Sequence, residues 1–348
     1  MPDTVSPKPT QIRWKTHVRL SALHAARTVG SGHVCIDAAT QRQLSVLVSE
    51  LNQRLVSQSV NVARFWETLI CETAMRKDSR GKESGSKSGI DTDQRSLCVS
   101  ALTSGRISEF QIEQTAITVS RAIRDCQQAF TSRFPKLVDQ LELRGKPLRQ
   151  SWDTYGPGLL RSASRIIWGG DPPSDWWPAS CDGYLVQPMR GGDGEAIGTT
   201  GFWIEAMLTD ADPALPEVLR VAYLLTRVAI DRHVRDRSGD TMSLLPWREA
   251  AVVVVLKAAA DLDLVPAIDL PIENAVARWL RGDVWVADVL RAWADQWQQT
   301  GAAMPVALKA LDRMMESHRA GLASEVEMPG IDLLDDDMLR ELGLQDDS

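Results

Sequence analysis

The sequence predicts a mostly helical α+β fold, in which a small antiparallel hairpin or sheet at about residues 183–209 packs on helices. Apolar residues between 44 and 69 recur at the three- and four-residue spacing of one helix face. Two apolar segments, 183–189 and 201–208, flank a glycine-rich polar loop, which is the pattern of a hairpin. Residues 215–230 are apolar on most of a helix circumference, so we expect a central, buried helix there.

The first part of the chain is predicted to hold a loose segment and a helical region. Residues 1–33 contain prolines and no sustained periodicity, so we expect a loose N-terminal segment. The region 34–135 is predicted to be helical, and its first helix begins near Asp37 or Thr40, whose side chains can accept from first-turn amides. A flexible insert is predicted at 76–94, because its polar and glycine–serine-rich residues bury too little apolar surface to offset the entropy of ordering.

An α+β region is predicted at 148–320, after a boundary that Pro147 marks. Its hairpin is followed by helices whose starts are indicated by Pro213, Pro246 and Pro271, since proline suits the first turn of a helix. The chain holds twelve tryptophans against five phenylalanines and three tyrosines. Because these large rings bury much area, we expect them at packing junctions or in the wall of a pocket.

The glycine-rich loop raises the question of phosphate binding. It lies within the stretch QPMRGGDGEAIGTTGFWIE, residues 187–205. A dinucleotide fingerprint that starts at Gly192 and Gly194 requires a third glycine at position 197, where the chain has Ile197. A strand pattern follows the loop, whereas a phosphate loop needs the free amides of a helix start. The sequence therefore favours a turn between strands.

Composition excludes some classes of function. The net charge is −7, but residues 324–348 carry nine acids and one base, so the remaining chain is close to neutral. A near-neutral body lacks the clustered positive charge that nucleic acids require, and no nucleic-acid partner is expected. The five cysteines are widely spaced, which is typical of free thiols in a reducing compartment. The N-terminus has no signal-peptide pattern and the longest apolar run is too short for a bilayer, so we expect a soluble cytoplasmic protein without membrane contact.

The sequence contains no recognised catalytic signature. This favours a protein without enzymatic activity. We find no HExxH, no cysteine pair at zinc spacing and no GxSxG, so neither a metal nor a cofactor is predicted. Glu205 is the main candidate carboxylate, because strand alternation places it beside Trp203, and a partly dry site would raise its pKa as a general acid requires. The alternatives for Glu205 are a solvated strand face or an ion pair with Arg190. Together with Trp152, these residues define the candidate small-ligand pocket.

The segment 321–348 combines acids with regularly spaced apolar residues. Leu334, Met338 and Leu342, or Leu339 in place of the last, would share one face of a helix. An acidic amphipathic segment of this kind is typical of a helix that docks in the groove of a protein partner. The alternative is that it folds back on its own body.

Two functions remain open from the sequence. The leading one is a non-catalytic interaction or adaptor protein that uses the acidic tail. The alternative is an enzyme or small-ligand-binding protein with a pocket in the central hairpin region, near Trp152, Arg190, Trp203 and Glu205. No motif in the sequence is diagnostic of a known family.

Overall fold

A computed structural model describes residues 10–76, 87–235 and 244–326. Within those ranges the chain forms eleven α-helices and four strands, which confirms the predicted, predominantly helical α+β class. The strands are β1 (Gln11–Thr16), β2 (Ser180–Val186), β3 (Gly194–Ile197) and β4 (Gly201–Glu205). The helices are α1 (Val18–Gly30), α2 (Ala38–Ser57), α3 (Val62–Met75), α4 (Lys87–Ser104), α5 (Ile112–Arg133), α6 (Leu137–Trp168), α7 (Glu217–Arg235), α8 (Trp247–Ala260), α9 (Ile272–Ala275), α10 (Val284–Thr300) and α11 (Met304–Val326).

The four strands form one mixed sheet in the order β1-β2-β4-β3. The two segments predicted to form an antiparallel hairpin, 183–189 and 201–208, do contain strands, but β2 and β4 pair in parallel. The antiparallel partner of β4 is β3, which the glycine-rich loop itself supplies. The prediction of the pairing was wrong because the linker between β2 and β4 is long enough to return along the sheet as a strand of its own.

The N-terminal segment is also more ordered than predicted. Within residues 1–33, which were expected to be loose, β1 pairs in parallel with β2 and is followed by α1. The strand alternates between exposed Arg13 and Lys15 and half-buried Ile12 and Trp14. Two apolar positions are too few to stand out as a pattern, and their burial depends on the sheet edge that β2 offers.

Part of the predicted flexible insert is helical. Of residues 76–94, those from 77 to 86 lie outside the described ranges, whereas α4 begins at Lys87. The carboxylate of Asp93 pairs with the guanidinium groups of Arg19, at 3.0 Å, and of Arg76. These long-range ion pairs tie the start of α4 to α1 and α3, a contribution that local composition cannot reveal.

The predicted boundary at Pro147 falls inside α6, which continues from Leu137 to Trp168. A methyl group added at Gly145 would lie 2.4 Å from Cδ1 of Leu185, so the helix passes directly against β2. An internal proline removes one backbone hydrogen bond from a helix, and the packing of α6 against β2 compensates for that loss of stability. Buried apolar side chains from both predicted regions belong to one contiguous core, and the division into domains stays a prediction.

Helices α1 and α7 flank the sheet and position the site. α1 is buried along most of its length, although it carries a polar row formed by Ser21, His24 and Thr28. These residues recur at three- and four-residue spacing, so they share one face of the helix. α7 contacts β3 and β4, in agreement with the predicted central helix after the hairpin.

Candidate functional site

The centre of the candidate site is the carboxylate of Glu205, the last residue of β4, which is 0 % exposed. Five hydrogen-bond donors surround it. Four are backbone amides of the glycine-rich loop, and the fifth is a side chain of α1. They are the backbone amides of Met189 (2.6 Å), Arg190 (2.8 Å), Gly192 (2.6 Å) and Asp193 (3.1 Å), and Nε2 of His24 (2.7 Å). A buried carboxylate is stable only when its lone pairs are satisfied in this way.

The glycine-rich loop is therefore an anion-binding loop whose anion belongs to the chain itself. Successive amides turn inward towards one carboxylate, an arrangement that requires left-handed backbone in the loop. Gly191 and Gly192 supply it with φ values of 79° and 109°. At Gly192 an added Cβ would also lie 2.6 Å from Nη2 of Arg220, so only glycine fits there. The loop is a turn, as the sequence predicts, and its inward amides bind the carboxylate of Glu205.

Helix α1 supplies the fifth donor and fixes the start of the loop. The ring of His24 packs on the indole of Trp203, with centroids 4.6 Å apart, and this contact orients Nε2 towards Glu205. One turn earlier, Oγ of Ser21 accepts a hydrogen bond from the amide of Gln187 at 3.1 Å. The polar row on α1 thus holds both the carboxylate and the loop that surrounds it.

This geometry decides the protonation state of Glu205. Burial alone would raise the pKa of the carboxyl, but the hydrogen bond and charge of His24, together with the amide of Arg190, lower it below its ordinary value. The hypothesis of a general acid with a raised pKa is wrong, and so is the alternative of a solvated strand face. Arg190 does contact Glu205, although through its backbone amide rather than its guanidinium.

Asp193 forms a second buried carboxylate in the same loop. One guanidinium nitrogen of Arg281 donates to both of its oxygens and lies 2.6 Å from Oδ1. Burial would raise the pKa of Asp193, but the neighbouring Arg281 and His24 lower it to about 2. Arg278 donates to the carbonyl groups of Gly191 and Ala211, at 3.3 Å each, and so fastens the outside of the loop.

Several guanidinium groups border the outer side of the loop and form what we call the arginine surface. Its members are Arg27, Arg190, Arg278 and Arg281, with His33 and the exposed apolar residues Val34, Ile36 and Val284. Ile36 borders Gly191, and its amide donates to the carbonyl of Met189 at 2.8 Å. Val284 follows Arg281 by three residues at the start of α10.

Arg190 has the least complete set of partners on this surface. Its Nη1 is buried without a hydrogen-bond acceptor and lies 3.9 Å from the Asp193 carboxylate. Burial lowers the pKa of Arg190, and the charges of Arg281 and Arg27 act in the same direction. Burial also lowers the pKa of His33, again with help from Arg190 and Arg281. Ion pairs with Glu195, Asp193 and Asp212 neutralise most of the charge of the arginine surface, although its guanidinium groups remain partly exposed.

The structure brings three of the four sequence-predicted binding residues together. Arg190, Trp203 and Glu205 meet at the loop, whereas Trp152 is buried on α6 and packs against Gly156 of the same helix. Sequence reasoning missed His24, Arg278 and Arg281. Their only signal was residue type, because 181 residues separate His24 from Glu205. The predicted partner contacts Leu334, Met338, Leu339 and Leu342 lie outside the described residues.

Other chemistries find little support in the described ranges. Burial raises the pKa of Cys98 and Cys126 to about 11 and that of Cys181 to about 12, so these thiols are protonated at neutral pH. Among the described residues no group of three or more His, Cys, Asp or Glu side chains is placed to hold a metal ion. A groove of about 540 Å³ lies along α2, but it includes none of the four predicted binding residues.

Comparisons with protein families, curated proteins and solved structures return no match for this chain. In the part of the chain that the structure describes, no helix is both long enough and apolar enough to cross a bilayer.

We expect Glu205→Gln to lower the free energy of unfolding by about 3 kcal/mol or more, because it removes the buried charge and turns an amide group towards N–H donors. Glu195→Gln is the matched control, since Glu195 pairs with Arg27 at 2.9 Å but is partly exposed. That control should lose less than about 1 kcal/mol. Urea denaturation of both variants measures the difference, and equal losses would contradict the central role of Glu205.

Stability should also fall in acid through Asp193. Its pKa is lowered from 3.8 to about 2 in the folded chain, so its contribution is complete above pH 4 and is lost as the pH falls towards 2. Asp193→Asn should therefore destabilise the protein by about 2 kcal/mol at pH 7, since one pKa unit corresponds to about 1.4 kcal/mol. Denaturation of both proteins at pH 7, 5 and 3 checks this. A difference that stays constant down to pH 3 would show that the charge of Asp193 is not responsible.

Proposed function

We propose that this chain is a non-catalytic interaction protein, an adaptor of the cytoplasm, whose acidic segment 321–348 contacts a protein partner. The observation that carries the proposal is the internal use of Glu205. The carboxylate that looked most suited to catalysis is fully enclosed, ionised and bonded to five donors of its own chain. It supports a loop and has no free position for a substrate.

The arginine surface supports an interaction role for the body as well. Val34 is 82 % exposed and Ile36 is 58 % exposed, and the guanidinium groups of the same surface are held by ion pairs. Arginine and exposed apolar side chains are characteristic of protein interfaces, where a guanidinium offers charge, hydrogen bonds and a flat apolar face. None of the five cysteines, all of which lie in the described ranges, forms a disulfide, and this supports a reducing compartment such as the cytoplasm.

The contact through the acidic segment is tested by affinity capture from a native lysate. The full chain should recover a stoichiometric protein that is lost from a chain truncated after Ala323 and from the triple variant Leu334→Ser, Met338→Ser and Leu342→Ser. Removing one apolar face eliminates the burial that anchors an amphipathic segment. The matched control is Val46→Ser with Val56→Ser, two exposed apolar residues of α2. Equal recovery by all variants, or no partner with any of them, would contradict the proposal.

A second candidate is a small-ligand-binding protein or enzyme with its site at the arginine surface. It is favoured by one observation, the buried Nη1 of Arg190 that has no acceptor. An anionic ligand could accept from it, as guanidinium groups commonly bind phosphates and carboxylates.

This candidate predicts thermal stabilisation by an anion. We would test inorganic phosphate, nucleotides and dicarboxylates. At least one of them should raise the melting temperature by about 2 °C or more, because a ligand that binds only the native state stabilises that state. Arg190→Gln should lose the shift, while Arg121→Gln, an exposed residue of α5, should keep it. No shift with any anion, or a shift that Arg190→Gln retains, would remove the candidate.

A further inference from the structure

We propose that the arginine surface is the docking site for the chain's own acidic segment 331–344. The inference rests on the proposed function, since it names the surface that holds the partner-binding segment when no partner is bound. The surface offers partly exposed guanidinium groups and apolar side chains to the acids and leucines of the segment, and α11 runs towards the end of α10 that follows Arg281.

The course of α11 provides the geometric argument. α10 and α11 pack antiparallel, since Nε1 of Trp293 donates to the carbonyl of Ala307, and the ring of Trp285 stacks on His318 with centroids 5.0 Å apart. α11 continues from His318 to Val326, about 12 Å further at 1.5 Å per residue. It thus passes the level of Trp285 towards the end of α10 that follows Arg281. The acidic segment begins five residues after Val326, the last residue that the structure describes.

The chemistry of the two elements matches. Residues 331–344 contain five acids and one base among seven apolar residues. The arginine surface offers partly exposed guanidinium groups on Arg190, Arg278 and Arg281, together with the exposed side chains of Val34, Ile36 and Val284. Carboxylates of the segment can accept from guanidinium groups, while its leucines cover apolar area that is otherwise in contact with water.

Docking within one chain is favoured over docking between chains by the short connection. A link of four residues, 327–330, would give the segment an effective concentration in the millimolar range, so that even weak contacts are populated. A partner that takes the segment must compete with the arginine surface. Binding of that partner would uncover the surface, which couples the two contacts of the adaptor.

Hydrogen–deuterium exchange on the full chain tests the docking. We expect the amides of 331–344, and those of 187–194, to exchange at least about fivefold more slowly at low salt than at 0.5 M salt, because salt screens the contact. Neutralising the segment with Asp335→Asn, Asp336→Asn and Asp337→Asn should remove this protection without touching the body. Arg190→Gln should do the same, and Arg121→Gln should leave the protection unchanged.

The possible results separate this inference from the proposed function. Exchange of 331–344 that is equally fast in all variants and at both salt concentrations would overturn the docking, whatever the affinity capture shows. Protection that rises with protein concentration would overturn it as well, since the contact would then join two chains. Protection that Asp335→Asn, Asp336→Asn and Asp337→Asn remove would support it, even where no partner is captured.

Discussion

The enclosed carboxylate of Glu205 is the constraint on which the rest of this structure depends. An ionised carboxylate in a protein core is tolerated only when donors replace the water it has lost. Here the donors come from a glycine-rich loop and from His24 on α1, so one side chain joins the end of β4 to the first helix. That requirement accounts for the left-handed backbone at Gly191 and Gly192. It also accounts for the packing of His24 on Trp203.

The arginine surface is a second consequence of this arrangement. A loop that folds around one carboxylate exposes its carbonyl groups on the outer side, and Arg278 donates to that of Gly191. Asp193 is drawn inward beside Glu205, so it needs Arg281 as a counter-ion. The amide of Arg190 donates to Glu205, and its guanidinium lies 3.9 Å from the carboxylate of Asp193. The charges that stabilise the core thus also determine how the surface meets other molecules.

Sequence patterns predicted the fold class, the positions of most helices and the presence of strands at 183–189 and 201–208, because these depend on local periodicity. They did not predict the parallel pairing of β2 with β4, nor the strand β1. Both depend on which strand edges meet in the folded chain. They grouped Glu205, Arg190 and Trp203 around one loop, yet left the protonation state of Glu205 open between a general acid, a solvated carboxylate and an ion pair with Arg190. That state depends on His24 and on loop amides, whose positions only the tertiary structure reveals.

The same interactions favour the proposed interaction role over a catalytic role for Glu205. Catalytic carboxylates need a position that a substrate can reach, and their pKa values are tuned towards the working pH. Glu205 has neither property, since it is enclosed and its pKa is lowered. A recognition surface needs rigid, preorganised side chains instead, because flexible ones lose entropy on binding. In this chain the buried anion holds the amide of Arg190 and the loop around it, which is the preorganised element that the proposed interaction would use.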